Sequence, residues 1–288
     1  MSLVSSLLKR FAIAKLLGIP WSEITLRRDV KGKPCYAPKI PGSGSIEFNV
    51  SHQAGIVTIV ACICAEGEAA LGTDIVCVNE RDDYARIDKE GLFSWVDMHS
   101  DVFAPSETQA LKMDTTQLVL PLPDGLQLTG YARDAIARCQ YRTQRVTWKD
   151  AAGVAREIDA STVVEAKLRR FYALWCLREA YVKMTGEALL AEWLHELEFR
   201  KFKTPSATKE EEGSTSINLG LGEVVTDVEI YFKRKMVKDV AMELRAFGTD
   251  YMVASAARPT DGDTSRVVFS VFTELDLEKH IYAVAKTG

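Results

Sequence analysis

The chain has 288 residues, with a hydrophobic share of 47%, a charged share of 26% and a formal net charge of −4. These values are typical of a soluble globular protein, and they give no electrostatic argument for nucleic acid as the main partner. The longest apolar run, at residues 56–65, is much shorter than the ~20 residues that a membrane-spanning helix needs.

Six cysteines are present, and they form neither a C-x-x-C pair nor a cluster with histidine at metal-site spacing. Several lie within apolar runs, which is typical of reduced thiols in a protein core. Because disulfides are rare in the cytosol, this pattern indicates a cytoplasmic protein.

Residues 1–22 contain Lys9, Arg10 and Lys15 but no acid. This composition permits a mitochondrial presequence. It equally permits a first helix that ends at Gly18 and buries one apolar face, and we favour the helix. The predicted buried face consists of Leu7, Leu8, Phe11, Leu16 and Leu17.

The next part of the chain has the alternation and the β-branched content of strands, and it includes a predicted hairpin with a wide polar turn at residues 51–55. Asp74 lies inside a predicted strand, within an otherwise apolar run. Such a local inconsistency is typical of a functional site, although this acid could equally cap the strand end and face solvent. The predicted strands are 24–26, 46–50, 56–65 and 69–78.

Two stretches are predicted to lie outside the regular core. Residues 113–160 lack a steady period and indicate an insertion that holds small strands. Residues 204–216 are polar and poor in apolar side chains, so we expect a mobile loop there. The small strands predicted within the insertion are 117–122, 126–131 and 145–149.

The remaining elements decide the fold class. Residues 103–107 have the pattern of a helix start, with Pro105 or Ser106 at its first positions. A terminal helix is predicted at 275–285. Because strands outnumber helices and are joined by hairpins, we predict an α+β fold. The further predicted strands are 197–202, 224–233, 239–247, 251–257 and 267–273.

The most informative helix is predicted at residues 171–190, where apolar side chains recur at steps of three and four. Gly186 is a suitable end for it. Glu179 and Lys183 are four residues apart, so they lie about one turn apart on the same face. They could form an ordinary surface ion pair, or they could be a carboxylate and an ammonium that act on a phosphate.

Four short segments line up in order along the chain, and together they resemble the pattern of the Sfp-type 4′-phosphopantetheinyl transferases. That pattern runs GKP or GRP, then FNxSH, GxD and WxxKExxxK, and the inserted middle is similar to the fungal branch. Each motif alone is weak, but all of them in this order are a specific signal. The segments are Gly32-Lys33-Pro34, Phe48-Asn49-Val50-Ser51-His52, Gly72-Thr73-Asp74 and Trp175-Cys176-Leu177-Arg178-Glu179-Ala180-Tyr181-Val182-Lys183.

The resemblance implies two pseudosymmetric α+β lobes with coenzyme A and a magnesium ion in the cleft between them. Residues 1–71 would form the lobe on the coenzyme A side, and residues 72–288 the lobe with the metal site. The family moves 4′-phosphopantetheine from coenzyme A to a serine of an acyl, peptidyl or aminoadipate-reductase carrier domain, and adenosine 3′,5′-bisphosphate leaves. A monomer is the natural state for two such lobes.

The same resemblance assigns roles to the acids and to Lys183. Asp74 and Glu179 would hold the magnesium ion, since a hard cation takes carboxylate and phosphate oxygens. Glu179 is also the candidate base for the carrier serine, directly or through water. Lys183 would bind a pyrophosphate oxygen and stabilise the leaving group.

The other matched residues are expected on the donor. Ser51 and His52 match the pair that contacts the phosphates of coenzyme A. Lys33 and Pro34 match the segment against the adenine and its phosphate. No role is assigned to the other three histidines.

Three departures from the family pattern bear on this prediction. Val76 stands where many members have a third acid, so a water would replace that ligand. Arg178 stands where lysine is usual, which exchanges a point charge for a planar fork. Family chains also begin with a strand and a basic helix before the position matched by Met1. The first lobe is therefore expected to be incomplete, and coenzyme A binding or stability to be weaker than in a longer relative.

Two other functions stay open. A magnesium-dependent phosphohydrolase could use the same acids and lysine to position water. A truncated paralogue could bind carrier domains or coenzyme A without transferring anything, which Val76 and the incomplete first lobe favour. The presence of Asp74, Glu179 and Lys183 favours the transferase.

Overall fold

A computed structural model describes residues 2–38, 45–64, 69–116, 118, 120, 132–149, 152–187, 191–206 and 220–286. The fold combines helices and antiparallel strands, so the predicted α+β class is confirmed. Its helices are α1 (Ser2–Leu17), α2 (Asp83–Glu90), α3 (Leu92–Asp97), α4 (Pro105–Met113), α5 (Ala132–Ala137), α6 (Ala160–Thr185) and α7 (Ala283–Lys286). Its strands are β1 (Leu26–Arg28), β2 (Pro34–Tyr36), β3 (Ser45–Gln53), β4 (Ile56–Cys64), β5 (Ala69–Cys77), β6 (Arg145–Lys149), β7 (Ala155–Asp159), β8 (Leu197–Lys201), β9 (Leu221–Val225), β10 (Glu229–Phe232), β11 (Lys235–Met236), β12 (Ala241–Phe247) and β13 (Tyr251–Pro259).

The largest sheet in the described part of the chain has the strand order β5-β13-β12-β9, and all its pairs are antiparallel. Its strands alternate apolar side chains toward α6, which packs across one face. This contact forms the main hydrophobic core. Buried residues of that core include Val164, Leu168, Phe171 and Leu177 of α6 and Leu244, Met252, Ala254 and Ala256 of the sheet.

Gly72 of β5 lies where α6 passes closest to the sheet. A Cβ atom at this position would lie 1.9 Å from the carbonyl oxygen of Ala180 and 2.5 Å from the backbone nitrogen of Met184. At the same crossing, the thiol of Cys176 donates to the carbonyl of Asp74 over 3.4 Å. The glycine therefore allows the helix to reach the strand that carries Asp74.

The N-terminal part is a separate hairpin, β3–β4, with α1 packed on one face. Its small core contains Ile13, Ile24, Ile46 and Phe48. The C-terminal residues return to this core, because Val284 of α7 packs against it and Ile281, in the π-helical turn Leu277–Tyr282, is buried. The beginning and the end of the described chain thus meet at one cluster.

Side chains connect the hairpin to the large sheet. The amide oxygen Oδ1 of Asn49 accepts a hydrogen bond from the backbone N–H of Thr73 over 3.1 Å. Oγ of Ser51 accepts one from the backbone N–H of Ile75 over 3.3 Å. These two contacts satisfy the backbone N–H groups of Thr73 and Ile75 at the free edge of β5. Among the described residues, this edge has no backbone ladder with β3.

Several sequence predictions are confirmed. The structure contains the first helix, the strand with Asp74, and the strands predicted at 145–149 and 251–257. Pro105 is the first residue of α4, and Gly186 ends α6 in the left-handed conformation with φ of 73°. The terminal helix is present as the π-helical turn followed by α7.

Other predictions are wrong. The turn of the β3–β4 hairpin is not wide, because Gln53 pairs with Ile56 and leaves only Ala54 and Gly55, both at positive φ, as turn residues. Ser51 and His52 consequently belong to β3. The predicted strand 224–233 is two strands, since β9 joins the large sheet and β10 pairs with β8.

The remaining differences concern the two ends of the chain and the insertion. Residues 267–273 are not a strand, because they join no described sheet. On α1, Leu8 is buried, whereas Leu16 is 40% exposed. Most of the predicted strand 117–122, all of 126–131 and the loop positions 207–216 lie outside the described residues. No helix in the described ranges is long and apolar enough to cross a membrane.

We expect the substitution Gly72→Ala to lower the free energy of unfolding by about 3 kcal/mol, because the new methyl group meets backbone atoms of α6 that have no room to move. Urea unfolding followed by tryptophan fluorescence measures this. Ala69→Ser, at a half-buried position of the same strand, is the control and should change stability by less than about 0.5 kcal/mol. An unchanged midpoint for Gly72→Ala would contradict the close contact.

Candidate functional site

An open cleft of about 750 Å³ lies where the end of β3, the middle of β5 and the second half of α6 meet. Five of the seven residues that the sequence motifs single out for the site line it. The two that do not line it are Lys33 and Pro34. The lining residues are Ser51, His52, Gln53, Ala54, Gly55, Asp74, Ile75, Glu80, Arg81, Trp175, Glu179 and Lys183.

Asp74, Lys183 and Ser51 form a compact polar cluster at the base of the cleft. Nζ of Lys183 lies 2.6 Å from Oδ1 of Asp74 and 2.9 Å from Oγ of Ser51. The hydroxyl of Ser51 donates to the same carboxylate oxygen over 2.8 Å. Each of the three groups therefore fixes the other two, and the ammonium is held beside the carboxylate from the neighbouring element.

Burial governs the titration of the two acids. It raises the pKa of Asp74, and Lys183 and Ser51 oppose this increase by stabilising the charged form. Burial also raises the pKa of Glu179 to about 7, and the negative charge of Asp74 adds to the effect. Lys183 and Arg81 act in the opposite direction. Since the charge of Asp74 contributes to the raised pKa of Glu179, the two acids are electrostatic neighbours.

Glu179 differs from Asp74 in its contacts. Within the described ranges, its carboxylate has no hydrogen-bond or ion-pair partner, although the residue is only partly exposed. The helix places it one turn before Lys183 and one turn after Trp175, so all three side chains line the same cleft. An acid with a pKa near neutrality and free oxygens can accept a proton or bind a cation.

The two carboxylates are the chemical donors that a hard divalent cation prefers, and both lie in one cleft. No group of three or more histidine, cysteine, aspartate or glutamate side chains in the described chain is arranged to hold a metal. Val76, at the position of the third acid in many relatives, is buried and apolar. The residues thus fit a magnesium ion that keeps several waters and phosphate oxygens as ligands.

The Gly32-Lys33-Pro34 segment is anchored next to the cleft rather than in it. Nζ of Lys33 pairs with the carboxylate of Glu47 and donates to the carbonyl of Leu71 over 3.2 Å. Nζ of Lys31 donates to the carbonyl of Thr185 at the end of α6 over 2.7 Å. Pro34 is the first residue of β2 and is half-buried. The roles of Lys33 and Pro34 toward coenzyme A stay predictions.

Arg178 points away from the cleft, although it precedes Glu179 in the sequence. Its guanidinium is fully buried, pairs with Glu107, and donates to the carbonyls of Leu194 and Leu197 over 2.6 and 2.9 Å. Glu107 also accepts the backbone N–H of Phe199 over 2.8 Å. This network ties α6 to α4 and β8. The exchange of lysine for arginine therefore changes an internal contact and no group in the cleft.

Sequence reasoning missed the residues that hold the hairpin tip and the rim. Oε1 of Glu80 accepts the backbone N–H of Ala54 over 3.1 Å, and the hydroxyl of Tyr251 donates to the carbonyl of Ala54 over 2.9 Å. Arg81 follows on the rim. A signal was present, since Glu80 and Arg81 come directly after the strand that carries Asp74, where loop residues next to a site are expected.

Comparison with known proteins agrees with this geometry. A family model for the N-terminal part of 4′-phosphopantetheinyl transferases matches residues 1–64. A 4′-phosphopantetheinyl transferase of Aureobasidium melanogenum is 39% identical, over 99% of this chain and 84% of that protein. The 4′-phosphopantetheinyl transferase 1 of Fusarium mangiferae is 35% identical, over 97% of this chain and 76% of that protein.

A more distant relative comes from an animal. An L-aminoadipate-semialdehyde dehydrogenase-phosphopantetheinyl transferase of Homo sapiens is 24% identical, over 91% of this chain and 62% of that protein. The fold, the cleft and the fungal relatives define a group-transfer enzyme. The chain belongs to the 4′-phosphopantetheinyl transferase family, as its sequence motifs predict.

The Arg178–Glu107 pair should be important for stability. Arg178→Met leaves a buried carboxylate without its charge partner, so we expect a loss of about 3–5 kcal/mol. Chemical unfolding measures it. Arg145→Met breaks the exposed pairs with Glu157 and Asp159, and this control should cost less than about 1 kcal/mol. Equal losses in the two variants would show that the buried pair has no special role.

Glu179 should make stability depend on pH. Its folded pKa of about 7 lies above the ordinary value of 4.5, so the folded state binds more protons between these values. Stability due to this group is present below about pH 4.5 and is lost as pH rises through 7. In EDTA, Glu179→Gln should therefore be more stable than the wild type by up to about 3 kcal/mol at pH 8.

This difference should shrink toward zero at pH 4, where the wild-type acid is protonated in both states. Urea unfolding of both proteins across this range measures it. A difference that stays constant with pH would contradict the raised pKa of Glu179.

Proposed function

We propose that this chain transfers 4′-phosphopantetheine from coenzyme A to a serine of a carrier domain in a magnesium-dependent reaction, with release of adenosine 3′,5′-bisphosphate. The observation that carries the proposal is the meeting of Ser51, His52, Asp74, Glu179 and Lys183 in one cleft of a chain from this family. These residues come from three separate motifs that are distant in the sequence.

The donor is the more highly charged of the two substrates, and the cleft offers it cations and donors. His52 lies at the end of β3, and Lys183 lies opposite on α6. In the proposed complex, Ser51, His52 and Lys183 contact phosphate oxygens of coenzyme A. Lys33 and Pro34 lie against the adenine and its phosphate, with Lys33 exchanging Glu47 for the ligand.

Glu179 is the proposed base. The carrier serine oxygen bonds to the phosphorus that bears the pantetheine arm, the bond from that phosphorus to the adenosine bisphosphate breaks, and the serine proton goes to Glu179. A pKa of about 7 suits proton transfer near neutral pH. Lys183 stabilises the negative charge on the leaving phosphate. Magnesium, held by Asp74 and Glu179, would supply further charge neutralisation at the pyrophosphate.

The partners follow from the reaction class. We infer that the acceptors are acyl carrier, peptidyl carrier or aminoadipate-reductase carrier domains, and that a monomer in the cytoplasm acts on them. The organisms of the more similar relatives favour a fungal enzyme. We further propose roles in secondary metabolism and lysine biosynthesis. Two lobes, 1–71 and 72–288, with an insertion at 113–160, are also part of the proposal. The boundary between the lobes falls within β5, the strand that Asn49 and Ser51 attach to the hairpin.

A magnesium-dependent phosphohydrolase is a second candidate, because the unpartnered carboxylate of Glu179 could orient a water as well as a serine. A protein that binds without transfer is a third, and the apolar Val76 in place of an acid favours it. Both alternatives share one difference from the transferase, which is that neither modifies a carrier domain.

The decisive experiment is intact-mass measurement of an apo carrier domain incubated with this protein, coenzyme A and magnesium. We expect a mass gain of one phosphopantetheine, which EDTA prevents. Glu179→Gln should lower the rate by at least about 100-fold, because it removes the base and a metal ligand but little volume. Glu165→Gln, an exposed acid on the same helix, is the matched control and should keep the wild-type rate.

The outcomes separate the three functions. Release of adenosine 3′,5′-bisphosphate without a carrier would identify a hydrolase. Coenzyme A binding without any mass gain would identify a binding protein. Wild-type turnover in Glu179→Gln would remove Glu179 from the mechanism.

A further inference from the structure

The acidic side chains of the cleft outnumber the cations among the residues of the proposed mechanism that line it. Three acids line it, and of these Glu80 is bound to the hairpin tip. Lys183 is one cation on this surface, and its ammonium is already used by Asp74 and Ser51. A ligand with several phosphate charges would therefore meet carboxylates and a single, occupied ammonium.

Arg81 is the second cation of the cleft lining. It lies in the loop between β5 and α2, is exposed, and makes no hydrogen bond or ion pair with another residue in the described ranges. Its charge is close enough to Glu179 to lower the pKa of that acid. Arg81 therefore lines the same cleft as Glu179, and its donors are available to a ligand.

A guanidinium suits a phosphate better than an ammonium does in this position. Its planar fork can donate two parallel hydrogen bonds to one phosphate group, and such charge-assisted pairs are about twice as strong as neutral ones. A phosphate between Arg81 and Lys183 would be held from two elements, the loop after β5 and α6.

We propose that Arg81 is a substrate-binding residue that contacts the pyrophosphate of the donor opposite Lys183. This assignment rests on the proposed function for the identity of the donor. It adds a group that the four sequence motifs do not contain. It also accounts for an exposed guanidinium that has no partner in the described ranges and lines the same cleft as Glu179.

Arg86 provides a matched control. It is an exposed arginine on α2 and, like Arg81, borders the neighbouring groove that Trp95 and His99 line, but it does not line the cleft. Replacing Arg86 removes the same charge from the same region. A general loss of positive potential would affect both variants equally, whereas a direct contact would affect only Arg81.

The test is calorimetric titration with coenzyme A and with inorganic pyrophosphate, in EDTA and at physiological ionic strength. We expect Arg81→Gln to weaken coenzyme A binding by about 10- to 100-fold and pyrophosphate binding in parallel. Arg81→Lys should recover part of the loss. Arg86→Gln should stay within about 2-fold of the wild type, because a screened charge outside the cleft contributes little. Thermal melting verifies that each variant is folded.

Carrier assays separate this proposal from the proposed function. Weaker coenzyme A binding in Arg81→Gln, with no carrier modification by the wild type, supports the contact and refutes the transferase. Unchanged coenzyme A binding overturns the contact. If the Michaelis constant for the carrier domain then rises instead, Arg81 meets an acid of the carrier. Equal losses in Arg81→Gln and Arg86→Gln, or no coenzyme A binding by the wild type, also overturn it.

Discussion

The backbone N–H groups of Thr73 and Ile75 face a neighbouring strand that offers them side chains instead of carbonyl groups. Asn49 and Ser51 accept these two hydrogen bonds, and the polar cluster at the base of the cleft depends on this junction. If β3 paired with β5 through the backbone, the strands would lie closer and Ser51 would be one more ladder residue. The side-chain junction instead places the hydroxyl of Ser51 between β5 and α6, where it contacts Asp74 and Lys183. An interaction that closes an exposed sheet edge thereby also orders the polar cluster.

Two adjacent residues of α6 show how the helix divides structural and chemical work. Arg178 and Glu179 are about 100° apart around the helix axis, so they face different environments. Arg178 enters the core, where Glu107 and two backbone carbonyls accept hydrogen bonds from the two terminal nitrogens of its guanidinium. Glu179 lies at the edge of the core, partly desolvated but without a partner in the described chain, and its pKa rises. The core contact fixes the helix, and the fixed helix holds an acid in a state that is unfavourable for the fold and suitable for chemistry.

The parts of the structure that could be predicted from sequence are those with a local physical cause. The helix around Glu179 follows from its apolar periodicity, its end from Gly186, and the start of α4 from Pro105. Family motifs predicted that Ser51, His52, Asp74, Glu179 and Lys183 belong together, and they line one cleft. No periodicity could have shown this, because the five residues are brought together by long-range packing.

The failures also have identifiable causes. A tight turn at Ala54-Gly55 was not expected because alanine rarely adopts a positive φ, and here Glu80 and Tyr251 hold its backbone from distant elements. The inward direction of Arg178 could not be predicted either, because its position in the motif does not say which side of the helix it faces. Arg81 belongs to no motif. Its place on the rim depends on the path of the loop after β5, which local sequence does not determine.

The packing of Val284 against the cluster around Ile13 has a consequence for how the protein folds during synthesis. On the ribosome, α1 and the β3–β4 hairpin emerge long before α7, which contributes to their core. Until then the apolar side chains of the hairpin remain partly uncovered, a state that is prone to association and that chaperones recognise. The contacts that close this core span almost the whole described sequence, which makes them slow to form. The apolar side chains of the strand that carries Ser51 and His52 are therefore expected to become buried late in folding.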